Sequence, residues 1–417
     1  MNQRILHTPE GVRDIYPLEC RQKFVVQEKL HSTLRSYGYQ DIQTPTLEFL
    51  EVFGKEVGSL KEKELYRFFD RDGNTIVLRP DITPSIARSI ATYADTTTHY
   101  SKLCYVGNTF MNHSSYQGRL KENIQIGAEM IGLDSIESDA EMVAMAVAAL
   151  QAVGVDRFEV SVSHVGYLNA LMEAAALDAD TEVLVRELCE NKNYYGVINV
   201  LEQSPIHEKV AEAFRVLPEL VGGIEIFARA KEVAPTAQAV ATIERLEQIA
   251  TTLEMYGVLQ HITFDLSMTG AYGYYTGIIF RGYTFGTGDA VVKGGRYNEL
   301  LQHFGKHTPA IGFAIYVEEL FHAILRQEKS MTVPLDNHII LYEAKMQERA
   351  IRLAAAFRAN GRVTEIIKKE EHDVAYYIEY AKKNFAKYML YLKGTNNVES
   401  VNLLTGKQAK IDLSQQL

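Results

Sequence analysis

Apolar positions follow two rhythms along this chain, and the change from one to the other marks out its elements. Val26, Leu30, Leu34 and Tyr37 recur at helical spacing, which predicts a helix from about Pro17 to Tyr37 with Gly38 placed to stop it. An extended stretch, Tyr39 to Leu47, follows it. Short strands at Leu65 to Phe69 and Thr75 to Leu78 flank a turn at Asp72-Gly73-Asn74. Asp81 to Tyr93 reads as a helix that tolerates Pro84 only because it lies in the first turn, where the N–H has no intrahelical partner. Leu103 to Phe110 and Asn123 to Met130 are predicted strands, joined by a polar loop from Met111 to Glu122. A helix over Asp139 to Val153, closed by Gly154, leads into a strand at Phe158 to Ser163.

From about residue 166 to residue 257 helical periodicity dominates, as in Ile243, Leu246, Ile249 and Leu253, and clear strands are absent. This reads as a helical insertion. Strand character returns in His261 to Leu266, Gly277 to Phe285 and Ala290 to Lys293, ahead of an expected helix from about Gly295 to Phe304. A strand at Thr308 to Tyr316 and a helix at Val317 to Gln327 complete this part. Met331 to Leu335 is the expected linker, since Pro334 and Asp336 break the helical rhythm. Beyond it, strands (His338 to Tyr342, Arg362 to Ile367, Tyr388 to Leu392) alternate with helices (Gln347 to Asn360, Asp373 to Lys387), a small α/β unit.

Composition narrows the function classes. The 417 residues carry a net charge of −10, with 47% hydrophobic and 23% charged positions, which fits a globular chain of more than one domain. The acidic balance argues against a general nucleic-acid coat. Cys20, Cys104 and Cys189 are far apart and lack C-x-x-C spacing, so they read as reduced thiols of a cytoplasmic protein. The N-terminus has no apolar stretch suited to a signal peptide, and the longest apolar run, Met142 to Leu150, is about half a membrane span. No targeting segment, transmembrane helix or metal site is expected. Phosphate-loop and dinucleotide motifs also fail: Gly54-Lys55, Gly305-Lys306 and Gly406-Lys407 are followed by Glu, His and Gln, and Val291 stands at the third glycine position after Gly286 and Gly288. No cofactor is expected.

A set of motifs in fixed order resembles the catalytic core of class II aminoacyl-tRNA synthetases, the histidyl enzymes in particular. Thr8-Pro9-Glu10-Gly11-Val12-Arg13-Asp14 and Gly38-Tyr39-Gln40-Asp41-Ile42-Gln43-Thr44-Pro45 are similar to its start and its dimer-forming motif. Arg79-Pro80-Asp81-Ile82-Thr83 resembles the segment that binds the amino group, and Gly118 through Glu129 resembles the second motif. Tyr274-Tyr275-Thr276-Gly277 resembles a histidine-binding segment, and Gly294-Gly295-Arg296-Tyr297 with Gly312-Phe313-Ala314 the third-motif region. The resemblance implies an α+β fold: a class II synthetase-like antiparallel sheet core over residues 1–330, with the helical insertion, and a reduced anticodon-binding-like α/β domain over 336–417.

Several family cations are missing. Met111, Gly270 and Glu319 stand where the family has arginines, His113 stands at the glutamate position of the second motif, and Asn123 replaces the aromatic residue that stacks on adenine. Activation of an amino acid requires fixed cations around the transferring phosphate, and each lost donor costs about 10²–10³ in rate, roughly 3–4 kcal/mol. Adenylation is therefore not expected. The amino-acid pocket is better kept. The resemblance implies that Asp81 and Thr83 orient an ammonium, Gln125 bonds the α-amino or carboxylate end, and Glu129 and Tyr275 serve the two imidazole nitrogens. Tyr274, the neighbour of Tyr275 in an expected strand, reads as core because adjacent strand residues face opposite sides.

A synthetase core that keeps an amino-acid site and loses its ATP cations resembles the regulatory-subunit family of ATP phosphoribosyltransferase. That resemblance implies a non-catalytic role in the first step of histidine biosynthesis, a short-form catalytic subunit as partner and L-histidine as feedback effector. It also implies self-association as a dimer within a hetero-octamer. The C-terminal unit holds thirteen Lys and Arg against ten Asp and Glu, which is slightly basic, but tRNA binding is not expected. A divergent histidyl-tRNA synthetase or other carboxylate-activating ligase, and a stand-alone histidine or RNA sensor, remain as alternatives.

Overall fold

The computed structural model describes residues 6–54, 62–93, 100–113, 120–270, 273–328, 331, 333–394 and 397–411. Gly118 and Arg119 of the quoted motifs, and half of the Met111 to Glu122 loop, lie outside them, as do Ala271 and Tyr272. The chain divides into two compact units, Met1–Met331 and Thr332–Leu417.

The first unit opens with α1 (Pro17–Ser36), which starts on a proline and buries Val26, Leu30 and Leu34 along one face. Gly38 takes a φ of +85° just after it, a conformation closed to most side chains. The extended stretch expected over Tyr39 to Leu47 is broken into two strands belonging to different sheets: β1 (Gln40–Asp41) and β2 (Leu47–Phe49). Pro45 cannot donate to a ladder. The buried Arg79 guanidinium holds the corner instead, with Nη1 donating to the carbonyls of Thr44 and Pro45 at 2.8 and 3.3 Å. β2 joins β3 (Arg67–Phe69) and β4 (Thr75–Leu78) in a small antiparallel sheet, whose hairpin turns on Asp70 accepting from the backbone N–H of Asp72 and Asn74.

Then come α2 (Thr83–Tyr93), β5 (Ser101–Phe110), β6 (Glu122–Ile131), α3 (Ile136–Ala152) and β7 (Phe158–His164). The start of α3 is fixed by a reciprocal cap between Ser135 and Ser138. The insertion follows as α4 (Val165–Ala175), α5 (Ala179–Glu190), α6 (Tyr194–Glu202), α7 (Glu208–Val216), β8 (Val221–Gly222), α8 (Ile226–Val233) and α9 (Ala237–Met255). It is helical as expected, save for the two-residue β8, which forms the sheet edge by pairing with β9 (Ile262–Asp265). The unit ends with β10 (Ile278–Thr284), β11 (Val292–Arg296), β12 (Ala310–Tyr316) and α10 (Val317–Arg326). The helix expected from about Gly295 is corrected here: Gly295 and Arg296 complete β11, Gly295 paired on both sides and Arg296 with β12, and only a 3-10 turn forms at Leu300–Phe304.

Among the described residues nine strands form the main sheet, in the order β1-β5-β6-β12-β11-β10-β7-β9-β8. Its pairs are antiparallel apart from β1 with β5 and β7 with β9. Alternation along the strands separates its two faces. Ile124, Ile126, Ala128 and Met130 of β6 face the helical layer, with α1, α3 and α9 contributing to the same core. The other face carries α2 and a cluster of Ile82, Ile86, Tyr105, Tyr274 and Tyr297.

The second unit is β13 (Asn337–Tyr342), α11 (Gln347–Ala359), β14 (Thr364–Lys368), α12 (Val374–Lys383), β15 (Ala386–Gly394), β16 (Asn397–Asn402) and β17 (Gln408–Ile411). Its sheet runs β14-β13-β15-β16-β17, parallel among the first three and antiparallel thereafter. The final hairpin was not expected, because Asn397 to Ile411 is too polar to announce strands by hydrophobic alternation. Among the described residues no helix is long and apolar enough to cross a membrane.

Candidate functional site

The candidate site lies on the α2 side of the sheet, over three neighbouring central strands. On β6 the odd-numbered residues Asn123, Gln125, Gly127 and Glu129 alternate with the core-facing positions. Across the ladder they register against Tyr316, Ala314 and Gly312 of β12, with Gln125 opposite Tyr316 and Glu129 opposite Gly312. Two glycines make room. A Cβ on Gly312 would fall 1.5 Å from a Glu129 carboxylate oxygen, and one on Gly295 would fall 2.7 Å from the Tyr275 ring. The third-motif glycines are thus required by close approach of side chains from neighbouring segments.

A network of hydroxyls and carboxyls lines this floor. Thr83, at the start of α2, donates from Oγ1 to Glu129 at 2.7 Å, and the Tyr297 phenol donates to the other Glu129 oxygen. Asp81 accepts from the N–H of Ile82 at 2.8 Å and from the Tyr274 phenol at 3.1 Å. Burial is the largest influence on both acids. It raises Asp81 above the usual carboxylate range and lifts Glu129 to about 8, outweighing the hydroxyls that donate to them. Tyr297, buried beside Glu129, is raised well above the usual phenol value.

Above the floor is a small, partly open pocket. Asp81, Thr83 and Tyr275 of the predicted residues line it, joined by Tyr274, Tyr297 and Lys293. The Tyr274 ring meets Tyr275 and Tyr297 edge-on, at 5.1 and 5.9 Å between centroids. Lys293 Nζ lies 5.0 Å from the Tyr316 ring and 3.2 Å from Asp289.

Glu129 and Gln125 sit beneath the pocket rather than on its surface. Both Glu129 oxygens are engaged by Thr83 and Tyr297, and Gln125 is buried with no hydrogen bond at Oε1. Tyr274, Tyr297 and Lys293 are lining residues that the sequence motifs did not single out as ligands. Tyr274 is core, as expected, and yet its hydroxyl reaches Asp81. Alternation from Gly295 on β11 was the available signal for Tyr297.

The three positions that lack the family arginines are none of them pocket-lining residues. Met111 donates its backbone N–H to Lys121, and Gly270 adjoins the undescribed Ala271. Glu319, in the first turn of α10, accepts from Asn123 Nδ2 at 3.3 Å, so these two replacements face each other. Burial raises the Glu319 carboxyl, and its second oxygen has no hydrogen-bond partner. Next to it, the buried Glu318 is paired with Lys23 of α1. This end of the site therefore presents a carboxyl where the family has an arginine.

Arg296, quoted among the third-motif residues, points to the opposite side. It forms a buried pair with Asp139 of α3 at 2.6 Å and donates to the Leu133 carbonyl at 3.0 Å.

The sheet, its insertion and this hydroxyl-lined pocket define a protein of the histidyl-tRNA synthetase class, and the histidyl-tRNA synthetase family model matches residues 11–320. A histidyl-tRNA synthetase from Nostoc sp. PCC 7120 shares the fold, with a TM-score of 0.81 at 18% identity over 97% of this chain and 96% of its own. More specific similarity lies elsewhere. The ATP phosphoribosyltransferase regulatory subunit of Acetivibrio thermocellus is 30% identical over 99% of this chain and 98% of its own length. That of Thermoanaerobacter pseudethanolicus is 36% identical over 88% and 96%. A solved structure described as an ATP phosphoribosyltransferase regulatory subunit/histidyl-tRNA synthetase, from Bacillus halodurans, matches with a TM-score of 0.82 and 28% identity, covering 94% of this chain and 99% of that one. The chain belongs to the family of ATP phosphoribosyltransferase regulatory subunits.

Proposed function

We propose that this chain is a non-catalytic, cytoplasmic subunit that binds a short-form ATP phosphoribosyltransferase catalytic subunit, supports its activity and transmits feedback inhibition by L-histidine. The observation that carries this reading is the contrast within one site. A small pocket is lined by a carboxylate, a cation and an aromatic wall, while the adjoining end presents Glu319 to Asn123. In the pocket Asp81 takes the histidine ammonium, Lys293 its carboxylate, and Tyr274, Tyr275 and Tyr297 the imidazole ring. An ammonium beside Asp81 favours its ionised form and offsets the burial that raises it. Glu129 acts as a positioning residue, holding the Thr83 and Tyr297 hydroxyls, and Gln125 adds a buried acceptor beneath.

At the other end, a triphosphate would meet a buried carboxyl in place of the family cation. That opposes both ATP binding and stabilisation of the transferring phosphate. Histidine then inhibits by favouring one state of the assembly, a coupling typically worth about 1–3 kcal/mol. By resemblance to its family the assembly is a hetero-octamer of four regulatory and four catalytic chains, with this chain dimerising through its synthetase-like unit.

Reconstitution with a short-form catalytic subunit tests this. The complex is expected to be stable, to need this chain for full activity, and to lose activity on adding histidine. Glu129→Gln is expected to raise the inhibitory histidine concentration about tenfold, the effect of about 1.4 kcal/mol. Pyrophosphate exchange with histidine and ATP is expected to stay at background, and robust exchange would restore the synthetase reading.

A further inference from the structure

His31, Asp41 and Cys104 have no metal-ligand spacing in the sequence, but the fold brings them together. β1 lies parallel to β5 with Asp41 registered against Cys104, and α1 packs over that edge carrying His31. The Cys104 thiol donates to Asp41 Oδ1 at 3.4 Å, and His31 Nε2 contacts the same oxygen. All three donor atoms lie within 4.8 Å of one another. The thiol is fully buried, the imidazole is partly buried, and the carboxylate opens to solvent. Cys104 belongs to the helical-layer core, so this cluster is on the opposite face of the sheet from the Glu129 pocket.

We propose that His31, Asp41 and Cys104 form a three-donor site for a divalent cation of the zinc class, with a fourth position open to solvent. A thiolate, an imidazole and a carboxylate together suit a borderline-soft ion and not magnesium or calcium, which take oxygen donors. Zinc bonds of about 2.0–2.3 Å in a tetrahedron separate ligand atoms by about 3.3–3.8 Å. The Asp41–Cys104 separation already falls in that range. His31 Nε2 is closer and must draw back from Asp41, which a rotation of its partly exposed ring allows. Arg35, 3.7 Å from Asp41 Oδ2, holds the far carboxylate oxygen and leaves Oδ1 for the ion.

One anionic carboxylate and one thiolate balance the charge of the cation, with the imidazole neutral. Without the ion, the Cys104 thiol keeps its proton in the hydrogen bond to Asp41. Coordination expels that proton to solvent and replaces the thiol–carboxylate hydrogen bond with two metal bonds.

The full-length chain, stripped with chelator, is to be titrated with cobalt(II) chloride while its absorption spectrum is followed. One equivalent is expected to produce a thiolate-to-cobalt charge-transfer band with tetrahedral d–d bands, both removed by added zinc. Cys104→Ser is expected to abolish the charge-transfer band, His31→Gln to weaken affinity about tenfold or more, and Cys20→Ser to leave both unchanged, with circular dichroism monitoring the fold of each variant. Absence of a thiolate band in the unaltered chain, a band that survives Cys104→Ser, or undiminished affinity in folded His31→Gln would overturn the site.

Discussion

Glu129 shows how much of this site depends on a single side chain. It is fully buried in the sheet and takes hydroxyl donors on both oxygens, and burial still lifts it to about 8 against an ordinary 4.5. The native state therefore holds a proton that the unfolded chain releases above about 4.5. Wherever the native state binds more protons, stability falls as pH rises. Between about pH 4.5 and 8 the unfolding free energy is expected to decline more steeply in the unaltered chain than in Glu129→Gln, measured by urea denaturation across that range; parallel slopes would remove Glu129 from this role. The residue types at 81, 83, 125, 129 and 275 were legible in the sequence through their motif positions. Their division into pocket wall and supporting layer was not, because it depends on which hydroxyl fills which acceptor.

Strands β6, β11 and β12 owe their placement to helices on the far side as much as to one another. Arg296 is the clearest tie, carrying β11 to α3 through Asp139 with almost no exposure on either side chain. Removing the guanidinium strands a buried carboxylate. Arg296→Met is expected to cost about 3 kcal/mol, the low end for a broken buried pair because Arg245 still bonds Asp139 at 2.7 Å. Urea denaturation measures it, and a loss below about 1 kcal/mol would show the pair to be dispensable. The helices of this unit were readable from apolar spacing, since burial of one stripe is a local pattern. The break at Pro45 and the extension of β11 through Gly295 were not. The first turns on where Arg79 reaches, and the second on pairing with strands distant in sequence.

For the whole chain, the two units have separate apolar cores. The second packs one cluster, around Ile340 and Leu353, on one side of its sheet and another, around Leu341 and Tyr377, on the other. Fragments 1–331 and 332–417 are each expected to unfold in one cooperative transition by circular dichroism, and a fragment without one would show that its core is incomplete alone.

The amino-acid sequence by itself determined the class of fold, the helical insertion, the missing arginines and three of the polar residues that line the pocket, because these are properties of local pattern and of side-chain chemistry in a fixed order. The tertiary structure alone decided the rest. It turned Arg296 into a core tie, set Tyr297 and Thr83 on Glu129, faced Glu319 toward Asn123, and gathered His31, Asp41 and Cys104 at one sheet edge. Each of these depends on strand register and helix packing between segments tens to hundreds of residues apart, and no local spacing encodes that.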